Sequence, residues 1–209
     1  MFLTAVEDLR RAGATVVDPA NIDGLEAIRR PQDTGTSGPC MGFKYDINRF
    51  LAARADAVPL KDLAAVIQSK GFHPSVQRRL EEAEKSLENG PDSPACVAEN
   101  NYREQFRAAV LKTMDRMKLD AFVYPTWSYP PRLIGDLNTP AGDNSQVFSP
   151  TTGFPAVNVP MGYTRGGTLP AGITFYGRAW SEATLIKYAF AYEQATRHRH
   201  APASTPPLR

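Results

Sequence analysis

The chain has 209 residues, 42% of them apolar and 22% charged, and a formal net charge of +2. That composition excludes a disordered chain, and the charge gives no general electrostatic reason to expect nucleic acid. No apolar run approaches the ~18 residues of a membrane span, and the N-terminus lacks the basic-then-apolar order of a signal peptide. Cys40 and Cys96 stand far apart with no CxxC, so neither a zinc framework nor a disulfide-rich scaffold is indicated. The expectation is a cytoplasmic protein with reduced thiols, no cofactor, no metal, and no nucleic-acid or membrane partner.

In chain order, Phe2, Ala5, Val6, Leu9 and Ala12 recur at helical spacing and Gly13 supplies a stop. TVVDP follows as a short strand. Helix, glycine and strand form half of an α/β unit, so the chain reads as beginning in the middle of a fold. The turn-rich PQDTGTSGPCMG reads as a surface loop. Its Ser37 lacks the strand and helix that present a catalytic serine, so it is not taken as a nucleophile. FKYDINRFLAA predicts a helix with Phe43, Ile47, Phe50 and Leu51 inside, and Leu60 to Ile67 predicts another. His73 sits beside a proline in a polar loop with no partner in view and reads as structural or solvent-facing. VQRRLEEAEKSLENG is a charged, solvated helix ended by Asn89-Gly90. The segment from Ala98 to Lys118 is a long helix whose Tyr102, Phe106, Val110 and Met117 stripe reads as core.

Three short β-type runs then follow: LDAFVYPT, FPAVNVPMGY and LPAGITFYGR. Each is rich in β-branched or aromatic residues and cut off by Pro or Gly. Gly166-Gly167 predicts a tight turn that sets the third strand antiparallel to the second. The loops from Pro125 to Pro131 and from Asn144 to Phe154 leave strand ends, where α/β folds place binding groups. Trp127 and Tyr129 either plug a core or wall a pocket. SEATLIKYAFAYEQATRHRH predicts a terminal helix capped by Ser181, with Leu185, Ile186, Ala189, Phe190 and Tyr192 on its buried face. The basic run from Arg197 to His200 reads as a solvated helix end.

The runs LDAFVYPTWSYPP, SPTTGFPAVNVPMGYT and GTLPAGITFYGRAWSEATLIKYAFAYEQAT, in that order, resemble the C-terminal part of amidase-signature enzymes. That family has a strand ending in Pro-Thr, a Gly-x-Pro-Ala strand entry, and a Leu-Pro-x-Gly strand followed by a Gly-Arg turn and a terminal helix. The resemblance extends over nearly the whole chain. It implies an α/β fold with a mixed β-sheet flanked by helices. Residues 1–200 would be a single incomplete amidase-like domain, and 201–209 a flexible Pro-rich tail.

The resemblance also implies hydrolysis of carboxamide C–N bonds by a serine, assisted by a second serine in a cis peptide and a buried lysine. That Gly/Ser-rich signature lies upstream in the family and no such stretch occurs in these 209 residues, so no catalytic residue is assigned. The family's pocket wall maps onto Thr126, Trp127, Ser149, Thr152, Gly153 and Phe154. A small-molecule amide is the implied substrate.

The leading expectation is thus a C-terminal amidase segment that is inactive alone. The alternative is a non-catalytic binding or oligomerising protein that keeps the pocket-wall half of the fold. A separate chain carrying the signature segment, or a second copy, is the expected partner, because unpaired sheet edges favour association.

Overall fold

The computed structural model describes residues 1–28, 42–86, 90–136, 142, 144, 145, 147–202 and 205. Ser37 and its loop, Cys40, Asn89 and most of the proline-rich tail lie outside the described residues. Two compact units are present: Met1–Asp23 with Arg107–Arg209, and Gly24–Phe106.

The first unit is built on a three-stranded sheet. Strands β1 (Phe122–Pro125), β2 (Ala156–Thr164) and β3 (Leu169–Tyr176) lie in the order β1-β3-β2, and both pairings are antiparallel. The expected turn joins β2 to β3, with Gly166 and Gly167 at φ +67° and +88°. Because side chains alternate along a strand, each strand serves two faces. Val123, Val157, Val159, Ile173 and Phe175 meet the core, which is completed by Ala5 and Leu9 of helix α1 (Phe2–Arg11) and by Leu185, Ala189 and Tyr192 of the terminal helix (Glu182–Thr196). Ile173 and Leu185 are fully buried, and removing each from water contributes about 2 kcal/mol.

Several expectations are corrected in this unit. TVVDP forms no strand, because among the described residues nothing pairs with it; Val16 packs on the core while Val17 is exposed. Ser181 does not cap the terminal helix: its Oγ donates to Arg178 O instead. Ile186 and Phe190 are exposed, since the stripe made by Leu185, Ala189 and Tyr192 is the face turned to the sheet. The terminal helix stops at Thr196, with Arg197 in the left-handed region, so the basic run follows the helix rather than ending it.

The second unit contains α2 (Gly42–Ala52), α3 (Leu63–Ser69), a 3-10 turn (Pro74–Val76) and α4 (Gln77–Lys85). Asp62 caps α3 by accepting from Ala65 N–H at 2.8 Å, a contact worth about 1 kcal/mol. Asn48 Oδ1 accepts from Leu63 N–H, tying α2 to α3. Phe43 and Phe50 are exposed, not inside as expected: the buried side of α2 carries Leu51 and the half-buried Lys44, whose Nζ donates to Glu84 O and pairs with its carboxylate. Helix α5 (Pro94–Met117) begins in this unit, with Cys96 and Phe106 buried. Cys96 is disulfide-bonded, which corrects the expectation of reduced thiols. His73 lies in a loop with its Nδ1 against Ser75, the structural role expected of it.

Candidate functional site

The second face of the sheet carries the residues nominated from the sequence. Alternation sends Phe122, Tyr124 and Thr126 from β1 and its extension, Thr174 and Tyr176 from β3, and Asn158 from β2 to that face. Thr126 is anchored first through its backbone, whose N–H donates to Gly172 O at 2.8 Å. Its Oγ1 lies 2.8 Å from Thr174 Oγ1, and Thr174 donates onward to Asn158 Oδ1 at 2.7 Å. Each hydroxyl holds one proton, so the chain of donation runs from Thr126 to Thr174 to Asn158. The close approach needs a glycine opposite: a Cβ at Gly172 would stand 2.9 Å from Thr126 Oγ1.

Four further nominated residues form one turn packed on the same face. Residues Ser149–Thr152 make a single helical turn, α6, closed by Gly153 at φ +71° with its N–H donating to Ser149 O at 2.7 Å. A positive φ suits glycine, which lacks the Cβ that clashes there. Ser149 Oγ donates to Phe154 O across the turn. Thr152 is buried; its Oγ1 donates to Phe148 O, accepts from Phe154 N–H, and meets Tyr176 OH at 2.8 Å. Arg107 Nε donates to Thr152 O at 2.6 Å. Phe154 is buried with its ring stacked on Tyr176, which Phe122, Tyr124 and Phe148 also surround.

Burial raises the Tyr176 phenol well above its ordinary range, opposed by the Thr152 hydrogen bond and reinforced by Tyr124. Tyr176 therefore stays a neutral donor at physiological pH. The described partners of the Thr126, Ser149 and Thr152 hydroxyls are carbonyls, other hydroxyls and a backbone N–H, not a histidine, lysine or carboxylate. None is thus paired with a general base of the kind that activates a nucleophile. Among the described residues no cluster of His, Cys, Asp or Glu is arranged to hold a metal ion, and no helix is long and apolar enough to cross a membrane.

Thr126, Ser149, Thr152, Gly153 and Phe154 all belong to this face or the turn upon it. Trp127 follows Thr126 but reaches solvent, with 47% of its surface exposed. A separate cavity of about 300 Å3 lies between the C-terminal ends of α1 and the terminal helix, lined by Asp8, Arg11, Thr196 and His198; no nominated residue lines it. The sequence reading missed Asn158, Thr174 and Tyr176. Their signal was present: a polar side chain inside an otherwise apolar strand must find a partner, and Asn158 and Thr174 are such residues.

The family model for amidases matches residues 1–186 of the chain. The chain belongs to the amidase family. It is similar to a probable amidase of Arabidopsis thaliana, with 30% identity over 203 residues, covering 94% of this chain and 36% of that protein. It is also similar to a glutamyl-tRNA(Gln) amidotransferase component from Myxococcus xanthus, 29% identical over 91% of this chain and 40% of that one. Among solved structures, the peptide amidase of Stenotrophomonas maltophilia superposes with a TM-score of 0.71 at 30% identity, over 96% of this chain and 40% of that chain. This amidase chain thus spans roughly two fifths of the length of the relatives it matches, corresponds to a C-terminal part of the amidase-signature fold, and shares its α/β class.

Proposed function

We propose that this chain supplies the pocket-wall half of an amidase-signature hydrolase that cleaves carboxamide C–N bonds. Thr126, Trp127, Ser149, Thr152, Gly153 and Phe154 build the pocket wall, with Trp127 at its surface and the buried Thr126, Thr152 and Phe154 shaping it from behind, and the serine nucleophile comes from a signature-bearing segment outside these 209 residues. The observation that carries this reading is the likeness to a peptide amidase over 96% of the chain, joined to site hydroxyls whose described partners hold no general base. Without a nucleophile, a serine hydrolase loses about a millionfold in rate, so the chain by itself is inactive toward amides. The Myxococcus xanthus relative, one component of an amidotransferase, supports a chain of this family working within an assembly.

The test uses N-acetyl-L-phenylalaninamide hydrolysis and a fluorophosphonate serine probe. The 209-residue chain alone is expected to release no ammonia above buffer and to take no label. Fused behind the part of the Stenotrophomonas maltophilia peptide amidase that it does not match, it is expected to do both. Labelling of the chain alone at Ser37 or Ser149 would overturn the division of roles. A folded, monodisperse fusion that neither labels nor hydrolyses would end the amidase reading.

A second reading, a non-catalytic oligomerising protein, is favoured by one observation: Ile186 and Phe190 are 57% and 60% exposed, one turn apart on the terminal helix. Light scattering on the chain and on an Ile186→Lys, Phe190→Lys variant decides it. A dimer that becomes a monomer supports association through this face, and a native chain that is already monomeric removes it.

A further inference from the structure

Asn144 holds the segment that leaves β1 by three donations. Its Nδ2 donates to Pro125 O at 2.8 Å and to Ser128 Oγ at 2.9 Å, and its backbone N–H donates to Thr126 O at 3.0 Å. Ser128 N–H donates in turn to Gly142 O at 2.7 Å, closing a short arm. A carboxamide is suited to this position, because it offers two donors from one nitrogen beside an acceptor. Gly142, at φ +63°, lies under the ring of Tyr129: a Cβ there would stand 2.4 Å from Tyr129 Cδ2. The arm therefore fixes the backbone on both sides of Trp127 while leaving 47% of Trp127 and 54% of Tyr129 exposed.

A large aromatic whose backbone is held on both sides and whose side chain is left half uncovered has contact surface to offer at a lower ordering cost than one on a free loop. We propose that Asn144 is a positioning residue that holds Trp127 as a platform for an aromatic group next to the amide of the substrate. The inference rests on the pocket-wall reading above and adds to it a substrate class, aromatic over small aliphatic amides, and the residue that enforces it. Asn144 acts through Trp127 and does not touch the reacting atoms.

The chain has two tryptophans, so Trp180→Phe leaves Trp127 as the sole indole fluorophore. In that background N-acetyl-L-phenylalaninamide is expected to change Trp127 emission saturably, at a concentration about tenfold below that needed for N-acetyl-L-alaninamide, as one ring-on-ring contact supplies. Asn144→Ala, and Asn144→Asp, which keeps the size but loses both Nδ2 donations, are expected to lower Trp127 anisotropy. Both should bring the two amides to within about twofold of each other, with the far-ultraviolet circular dichroism unchanged. A purely structural role would lower stability and leave these two signals alone. Equal titration by the two amides, or no response to either, overturns the platform. Unchanged anisotropy and preference in whichever Asn144 variant keeps the native circular dichroism overturns the positioning role; should neither keep it, Asn144→Ser is read in the same way. Because binding is read on the chain alone and without turnover, a preference at Trp127 beside a fusion that fails to hydrolyse removes the hydrolase reading alone. Hydrolysis without that preference removes the platform alone.

Discussion

Tyr176 OH and Thr152 Oγ1 meet at 2.8 Å, joining the end of β3 to the turn that precedes β2. Thr152 Oγ1 already gives its proton to Phe148 O and accepts from Phe154 N–H, so Tyr176 is the donor and Thr152 uses its full hydrogen-bonding capacity. Tyr176→Phe keeps the ring at the centre of the aromatic cluster and removes that single donor. It is expected to cost about 1 kcal/mol, read as a lower urea midpoint with an unchanged slope. A loss many times larger would show that the hydroxyl serves partners beyond Thr152.

Gly172 and Thr126 form a steric pair. Gly172→Ala places a methyl 2.9 Å from Thr126 Oγ1 and 3.6 Å from Val159 O. This overpacking is expected to cost about 1–3 kcal/mol. Adding Thr126→Ala, which removes the nearer atom, is expected to recover part of the loss. A double-mutant cycle reads the coupling directly, and additive losses would sink the steric account.

At Gly153 the demand is conformational. Its φ is +71°, and an added Cβ would meet only the Arg107 guanidinium at an ordinary 3.7 Å. Gly153→Ala is expected to destabilise by roughly 1 kcal/mol through backbone strain, and Gly153→Asn by less, because Asn tolerates the left-handed region. Thermal melts of the two variants check the order; an Asn variant no better than Ala would point to crowding instead.

Tyr192 is 1% exposed and its hydroxyl has no hydrogen-bond partner among the described residues. Burial, reinforced by the Asp8 charge, pushes its pKa up from 10.0 to about 12. Between these values the unfolded phenol loses its proton while the folded one keeps it. The native state then binds more protons, and stability falls as pH rises from 10 toward 12. Tyr192→Phe is expected to flatten that fall and, at neutral pH, to be neutral or stabilising by about 1 kcal/mol, since it removes an unsatisfied buried hydroxyl. Urea melts at neutral and alkaline pH test both halves; a variant that is less stable at neutral pH would mean that the hydroxyl has a partner.

The long helices and the β2–β3 hairpin were legible in the sequence because their signals are local. The Gly166-Gly167 turn lies between two β-branched runs, and the periodic stripe of α5 repeats over several turns. The segment TVVDP shows the limit, since β-propensity is local but a strand exists only when another strand supplies its hydrogen bonds. Helices α2 and the terminal helix show a second limit. Phe43, Phe50, Ile186 and Phe190 have the hydrophobicity and spacing of core residues, yet the neighbours that decide which side is buried come from elsewhere in the chain.

The candidate site divides along the same line. The loops that hold Thr126 and Ser149 to Phe154 stood out as strand ends, and the resemblance to amidase-signature enzymes implied these particular residues within them. Thr174, Tyr176 and Asn158 were missed although Asn158 and Thr174 interrupt apolar strands, because the groups they bond come from another strand and from the turn before β2. Sequence by itself determined the kind of most elements, TVVDP excepted, since propensity, turn chemistry and periodicity act between near neighbours. Only tertiary structure decided which hydroxyls meet, which aromatic rings remain in solvent and where Asn144 reaches, since those depend on contacts between residues far apart in the chain.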